Sequence, residues 1–143
     1  GVRANFEALL RLVASGAPLP FAALDNRRSF LHADNLTDLI ALAALHPAAP
    51  GQVLLASDGV DWSTPALIRL LAQGLGRPAR LFPVPGPALT LARRLPRIGP
   101  RLASLVSWLQ LDDSATRALL GWAPPVAAEG GLIATARAFA AAR

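Results

Sequence analysis

Prolines and glycines divide this chain of 143 residues into short apolar segments. The chain contains 13 prolines and 11 glycines, and its longest uninterrupted apolar run covers only residues 39–45. A helix that crosses a bilayer needs about 20 apolar residues in a row, so no membrane partner is expected. The chain also does not open with the charged and apolar regions of a secretory signal. We therefore expect a cytoplasmic protein.

Composition excludes several further classes of protein. Apolar residues make up 53% of the chain and charged residues 16%, which argues against intrinsic disorder. Because cysteine is absent, disulfide scaffolds and cysteine-based metal clusters are excluded. The two histidines, His32 and His46, are too far apart to form a ligand pair, so no metal site is predicted. The length suits one domain over residues 1–143.

The spacing of apolar residues predicts an α/β chain that is mostly helical, with about six helices and four or five short strands. Helices are predicted for residues 3–14, 34–45, 63–76, 88–95, 113–121 and 129–143. Strands are predicted for residues 19–24, 28–33, 53–56 and 79–84, and residues 98–108 are ambiguous. The run at 53–56 is apolar throughout, which is typical of a buried strand. The predicted helix caps are Asp34, Ser63 and either Asp112 or Asp113, with Gly76 and Gly121 at helix ends.

Residues 26–36 are the most informative stretch for chemistry, because Arg28 stands near Phe30 just before a capped helix. Guanidinium groups bind phosphate oxygens in a bidentate fork, so a phosphate site is one interpretation. A solvated strand edge is the other, and the residues alone favour it. Helix capping explains Asp112 and Asp113 better than acid–base catalysis does. The chain has no P-loop, no G-x-G-x-x-G and no G-x-S-x-G motif.

The formal charge of +5 comes from arginine alone, since none of the 14 basic residues is lysine. A basic stretch contains Arg93, Arg94, Arg97 and Arg101. Nucleic-acid binding would need such a patch together with aromatic residues or a recognition helix. Aromatic residues are only 6% of this chain, so a solvated basic face is favoured. A small basic module that binds protein or nucleic acid remains the alternative function.

Four segments, taken in order, resemble the C-terminal half of extended short-chain dehydrogenase/reductases of the NAD-dependent nucleotide-sugar epimerase/dehydratase family. Residues 28–36 (RSFLHADNL) resemble the R-D-[FY]-[IV]-H-V-x-D-[LV] block, and residues 53–68 resemble its strand, glycine turn and S-x-x-E-L block. Residues 111–124 resemble D-x-S-K-A…LGW-x-P, and residues 128–135 resemble L-E-E-G-L-x-x-T. Ser29 and Asn35 depart from the pattern, because each replaces an aspartate. The Arg28-Ser29 pair is more similar to the branch that acts on N-acetylated UDP-hexosamines in polysaccharide biosynthesis.

The resemblance implies a single nucleotide-sugar-binding domain that is part of a longer enzyme, the UDP-glucose 4-epimerase type being the nearest. Such an enzyme has an N-terminal Rossmann half that binds NAD and carries a catalytic Tyr–Lys pair. This chain contains neither tyrosine nor lysine. We therefore expect no catalytic and no cofactor-binding residues here, and an isolated chain that is inactive and binds no NAD. The implied partners are a UDP-sugar and the missing Rossmann domain, with a homodimer as a further form.

The same resemblance implies a set of substrate-binding residues. Asn5 and Phe6 match the start of the substrate-domain helix, and residues 19–21 match the strand that pairs with uracil, with Phe21 packing on the base. Arg28 matches the arginine that binds the diphosphate, Phe30 lies beside the ribose, and Thr64 lies near the loop that flanks the nucleotide. The predicted set is Asn5, Phe6, Leu19, Phe21, Arg28, Phe30, Thr64 and, as a second diphosphate arginine, Arg101.

Overall fold

The computed structural model describes residues 2–88, 103 and 105–142, with residues 2–5 described by their helical backbone alone. This part of the chain is mixed α/β, as predicted. It contains five helices and one two-stranded antiparallel sheet. The helices are α1 Val2–Ala14, α2 Ala33–Leu45, α3 Thr64–Gly74, α4 Ser114–Leu120 and α5 Ala128–Ala141; the strands are β1 Arg28–Ser29 and β2 Asp61–Trp62. None of the described helices is long and apolar enough to span a membrane.

The main core forms where α3 packs between α1 and α5. Ile68, Leu71 and Ala72 of α3 are almost fully buried at its centre. The contact between α3 and α5 is close at Gly74, where a Cβ atom would lie 2.6 Å from the Cβ of Ala136. Glycine at this position therefore allows the two helices to pack directly against each other.

A second, smaller core joins α2 to α4. Its buried residues are Leu39, Leu120 and Trp122. The indole Nε1 of Trp122 donates to Asp38 Oδ2 at 2.9 Å, and the guanidinium of Arg117 lies 5.3 Å from the indole ring centroid. These polar contacts satisfy the indole N–H and place a cation over the ring, which is favourable.

Local sequence signals locate most helix ends correctly. Ser63 caps α3, as predicted, and its Oγ accepts from the N–H of Ala66 at 3.3 Å. Gly121 ends α4 with φ +62°, a left-handed conformation that glycine adopts without strain. The predicted cap Asp34 is wrong, because His32 is the N-cap of α2 and its Nδ1 accepts from the N–H of Asp34. Asp113 occupies the N-cap position of α4, whereas Asp112 accepts from Ser114 N–H at 3.0 Å.

Most of the predicted strands do not form within the described residues. Residues 19–24 and 79–84 contribute only an isolated bridge between Leu19 and Leu81, and the strand predicted for 28–33 is reduced to β1. Residues 53–56 form no strand, and Val53 is 90% exposed rather than buried. A strand requires a neighbouring strand, and no described segment pairs with 53–56. The predicted helix 88–95 lies almost wholly outside the described residues.

Candidate functional site

A cavity of about 570 Å³ opens between the start of α1, the segment that follows β1, and α5. This volume is within the usual range for small-molecule sites. Most of the side chains around it are apolar, with three polar ones. The lining residues are Phe6, Phe30, Leu31, His32, Ala33, Asp58, Gly131, Leu132 and Thr135.

Two of the residues predicted from the sequence to bind a nucleotide meet at this cavity. The rings of Phe6 and Phe30 lie with their centroids 6.2 Å apart and their planes tilted by 58°. Both side chains are half-buried. The pair therefore presents aromatic surface to the cavity while packing against the main core.

Asp58 fixes the polar side of the cavity. Its carboxylate is 8% exposed and accepts from the backbone N–H of His32, with both oxygens at 3.0 Å. The amide of Asn35 donates to Asp58 Oδ1 at 2.6 Å, and its oxygen accepts from Val126 N–H at 2.8 Å. A carboxylate at position 35 would face the charge of Asp58, so the amide explains why asparagine stands where the family pattern has aspartate.

His32 lines the cavity with its imidazole ring. Its Nδ1 accepts from the Asp34 N–H, which leaves Nε2 as the ring nitrogen that can donate to a ligand. Helix α5 passes close to this ring at Gly131, where a Cβ atom would lie 2.8 Å from the His32 Cδ2 atom. Sequence reasoning treated His32 as an ordinary core or surface histidine. Its place directly before α2, at the N-cap position, was the signal that could have assigned it.

Arg28 lies in β1, two residues before Phe30, but is not part of the cavity wall. It is half-buried and pairs with Trp62 of β2. On its other side it forms an isolated bridge with Leu109. The arginine is thus held in the middle of three neighbouring backbone segments, beside the aromatic wall of the cavity.

Among the other predicted binding residues, Leu19, Phe21 and Thr64 do not line the cavity. Leu19 and Phe21 are 5% and 4% exposed and belong to the main core. Thr64 is buried, and its Oγ1 donates to the carbonyl of Leu105. Asn5 lies in the first turns of α1, and Arg101 lies outside the described residues. The nucleotide-binding roles of these residues stay predictions.

A partly buried ion pair holds the loop that carries Asp58. Arg117 donates to both oxygens of Asp113 at 2.9 Å and to the carbonyl of Ser57 at 3.1 Å. Ser57 donates to Asp113 through its N–H and its hydroxyl, each at 3.0 Å. Burial raises the pKa of Asp113, but the hydrogen bonds from Arg117 and Ser57 outweigh it and lower that pKa overall. The pair therefore remains charged and fixes the segment beside the cavity.

The described residues contain no cluster of three or more potential metal ligands. Asp58, the carboxylate of the cavity, accepts from two donors within the chain, the His32 N–H and the Asn35 amide. What the arrangement offers is a recess with aromatic surface, one imidazole and a neighbouring arginine.

No protein-family model matches the chain. It is, however, 43% identical over 140 residues to a Vibrio cholerae protein named UDP-glucose 4-epimerase. The matched region covers 97% of this chain and 43% of that relative, so the chain spans less than half of the relative's length. The resemblance seen in the sequence is thereby confirmed: over nearly its whole length, the chain is similar to part of a protein named UDP-glucose 4-epimerase.

Proposed function

We propose that residues 1–143 form the nucleotide-sugar-binding part of an NAD-dependent UDP-sugar epimerase, corresponding to the C-terminal substrate domain of an extended short-chain dehydrogenase/reductase. The observation that carries this proposal is the meeting of Phe6 and Phe30 in the wall of one cavity. The identity to UDP-glucose 4-epimerase supports the class of ligand.

Arg28 is the proposed diphosphate residue. A guanidinium group forms charge-assisted hydrogen bonds to phosphate that are roughly twice as strong as neutral ones. Phe30 then lies on the ribose side, within two residues of Arg28. If an aromatic ring of this site stacks on the uracil, it contributes about 1–3 kcal/mol, by analogy with stacking of bases on aromatic side chains.

The chain supplies binding rather than the chemical step. It contains no tyrosine and no lysine, so the proton-transferring pair of the family must come from elsewhere. Asp58, the one carboxylate that lines the cavity, is engaged by the backbone N–H of His32 and the amide of Asn35, which leaves little of it for a ribose hydroxyl of NAD. The sequence also has no glycine-rich phosphate loop. We assign NAD and catalysis to a separate Rossmann domain.

An open backbone edge at residues 53–56 supports such a domain partner. The amides of Leu55 and Ser57 donate to side chains of Thr116 and Asp113, which cover one edge of the segment. The amides of Leu54 and Ala56, on the opposite edge, donate to no acceptor within the described ranges. Unpaired N–H groups on such an edge are a template for another strand.

The side chains of residues 53–56 also indicate that another strand covers this segment. Leu54 and Ala56 pack on the smaller core, whereas Val53 and Leu55 are 90% and 44% exposed. A run that is apolar on both faces is typical of a strand in a parallel sheet covered on both sides. More than half of the length of the epimerase relative lies outside this chain. We therefore propose that a strand of this remaining part, the Rossmann half, pairs with residues 53–56.

Calorimetric titration with UDP tests the proposed function. We expect the wild-type chain to bind UDP weakly and Arg28→Ala to weaken binding by about tenfold or more, since hydrogen bonds to charged groups contribute about 1.5–3 kcal/mol. Arg27→Ala is the matched control, because Arg27 is half-exposed and lies 3.9 Å from Asp25 in a loose ion pair. Equal affinities of the wild type and Arg28→Ala would contradict the assignment of Arg28.

A further inference from the structure

The residue after Arg28 joins the two strands through a side-chain network. Ser29 and Asp61 are opposite each other in the β1–β2 pair. The Ser29 hydroxyl donates to Asp61 Oδ1 at 2.5 Å and accepts from the N–H of Leu111 at 2.9 Å. The other oxygen of Asp61 accepts from the Gln110 amide at 2.6 Å. A single carboxylate thus connects β2 with β1 and with residues 110–111.

These bonds reinforce backbone bonds on both sides of Arg28. The N–H of Ser29 donates to the Leu109 carbonyl at 2.8 Å, and the N–H of Leu109 donates to the Arg27 carbonyl at 2.9 Å. The residues on either side of Arg28, Arg27 and Ser29, are therefore both hydrogen-bonded to Leu109. Because β1 is only two residues long, its register depends on few bonds, and the Asp61 network is a large part of them.

We propose that Asp61 is a positioning residue for the ligand site, acting through Ser29 on the segment that carries Arg28 and Phe30. This inference rests on the proposed function and deepens it. The network needs two things: an oxygen at position 29 that accepts from the Leu111 N–H, and a hydroxyl at one of positions 29 and 61 that donates to a carboxylate at the other. An aspartate at position 29 opposite a serine at position 61 supplies both. We therefore expect the chain to tolerate the exchange of both residues together but not of either one alone.

Each single exchange breaks the pair in a different way. Ser29→Asp places two carboxylates side by side, which raises the pKa of one of them. Asp61→Ser leaves two hydroxyls and removes the charged acceptor of Gln110. The double variant Ser29→Asp/Asp61→Ser restores one carboxylate and one hydroxyl. A merely space-filling role for Asp61 would not produce rescue by this swap.

The test measures UDP affinity and amide hydrogen exchange for the wild type, both single variants and the double variant. Each single variant is expected to weaken UDP binding by about three- to tenfold and to speed exchange of the Leu111 amide by up to about tenfold. The reason is that two carboxylates repel each other in Ser29→Asp, and that Asp61→Ser removes the charged acceptor of Ser29 and Gln110, each an effect of about one hydrogen bond. The double variant is expected to return both values to within about twofold of the wild type. Asp25→Ser is the control, since the side chain of Asp25 is 89% exposed and makes only a loose ion pair with Arg27.

The pH dependence of UDP affinity in Ser29→Asp distinguishes a positioning role from a general loss of fold stability. In Ser29→Asp, protonation of one carboxylate restores the shared proton, so UDP affinity should recover as the pH falls from 7 to about 5, relative to the wild type. Should a single variant fail to fold, Asp61→Asn keeps the size of the side chain and an oxygen facing Ser29. Its UDP affinity is expected to lie between those of the wild type and Asp61→Ser.

The outcomes separate this inference from the proposed function. Wild-type UDP binding that is unchanged in Asp61→Ser, or a double variant no better than the worse single variant, overturns the positioning role and leaves the proposed function standing. A wild-type chain that does not bind UDP, with Leu111 exchange still rescued by the swap, overturns the proposed function and the role toward UDP. Rescue of both affinity and exchange supports both.

Discussion

The two cores of this molecule differ in how completely they are enclosed. The main core, built by α1, α3 and α5, buries its central residues, with Leu71 at 0% exposure. The smaller core of α2 and α4 leaves large apolar side chains on its outer side, including Leu36, Ile40, Val53 and Leu55. Within the described residues, the centre of the first region is enclosed, whereas the second has the composition of a surface that another polypeptide covers. This difference supports the proposal that a second domain pairs with residues 53–56, beside α2.

The largest expected effect contrasts the same substitution in the two regions. Leu71→Ala removes a fully buried side chain from the main core and should lower the free energy of unfolding by about 2–5 kcal/mol. Leu36→Ala, at 43% exposure on α2, should change it by less than about 0.5 kcal/mol. Urea denaturation of both variants measures the contrast, and similar losses would show that the α2 face is already covered.

A second contrast concerns glycines in the two helices that pack together. Gly74→Ala would place a Cβ atom 2.6 Å from the Ile133 carbonyl, forcing α3 and α5 apart at a cost of about 1–3 kcal/mol. Gly130→Ala in α5 meets no atom within 4 Å and should stabilise the chain by up to about 1 kcal/mol through helix propensity. Thermal unfolding that shows both variants stabilised would contradict the close packing at Gly74.

The ion pair of the smaller core should give a pH signature. Because the pKa of Asp113 is lowered in the folded chain, its contribution is present at neutral pH. It is lost as the pH falls from about 4 through the folded pKa. Asp113→Asn should cost about 1–2 kcal/mol at pH 7 and flatten this acid limb. Asp25→Asn, on an exposed side chain, is the control, and an acid limb that is equally steep in Asp113→Asn would contradict the account.

The smallest effect on the chain alone is expected at the open edge. Val53→Asp should change the free energy of unfolding by less than about 0.5 kcal/mol, because Val53 is 90% exposed. It should nevertheless weaken association with the unmatched part of the epimerase relative, supplied as a separate polypeptide, by about tenfold or more. Leu12→Asp, on α1 at 37% exposure, is the control. Protection of the Leu54 and Ala56 amides from exchange in the chain alone would show that the chain itself covers this edge.

Helices were largely predictable from the sequence because their signals are local. Ser63, Gly121 and the apolar spacing within each helix act over a few residues. Strands were not, because pairing depends on distant segments: residues 53–56 have the pattern of a buried strand but no neighbour within the described residues.

The candidate site was predictable in part for the same reason. Phe6 and Phe30 were assigned through a resemblance, and both line the cavity. Asp58, Gly131 and Thr135 were missed, since only the packing of α5 against the segment after β1 brings them together. Leu19 and Phe21 were predicted to bind a nucleotide but lie in the main core. The sequence alone does not distinguish an apolar binding residue from an apolar core residue.

The central claim is that the cavity beside Phe6 and Phe30 is a nucleotide site. Backbone amide shifts recorded by NMR during titration with UDP test it most directly. We predict that the largest, saturable shifts fall on Phe30, His32 and Gly131, around the cavity, and on Arg28 beside it. Shifts confined to other surfaces, or none at millimolar UDP, would contradict the account.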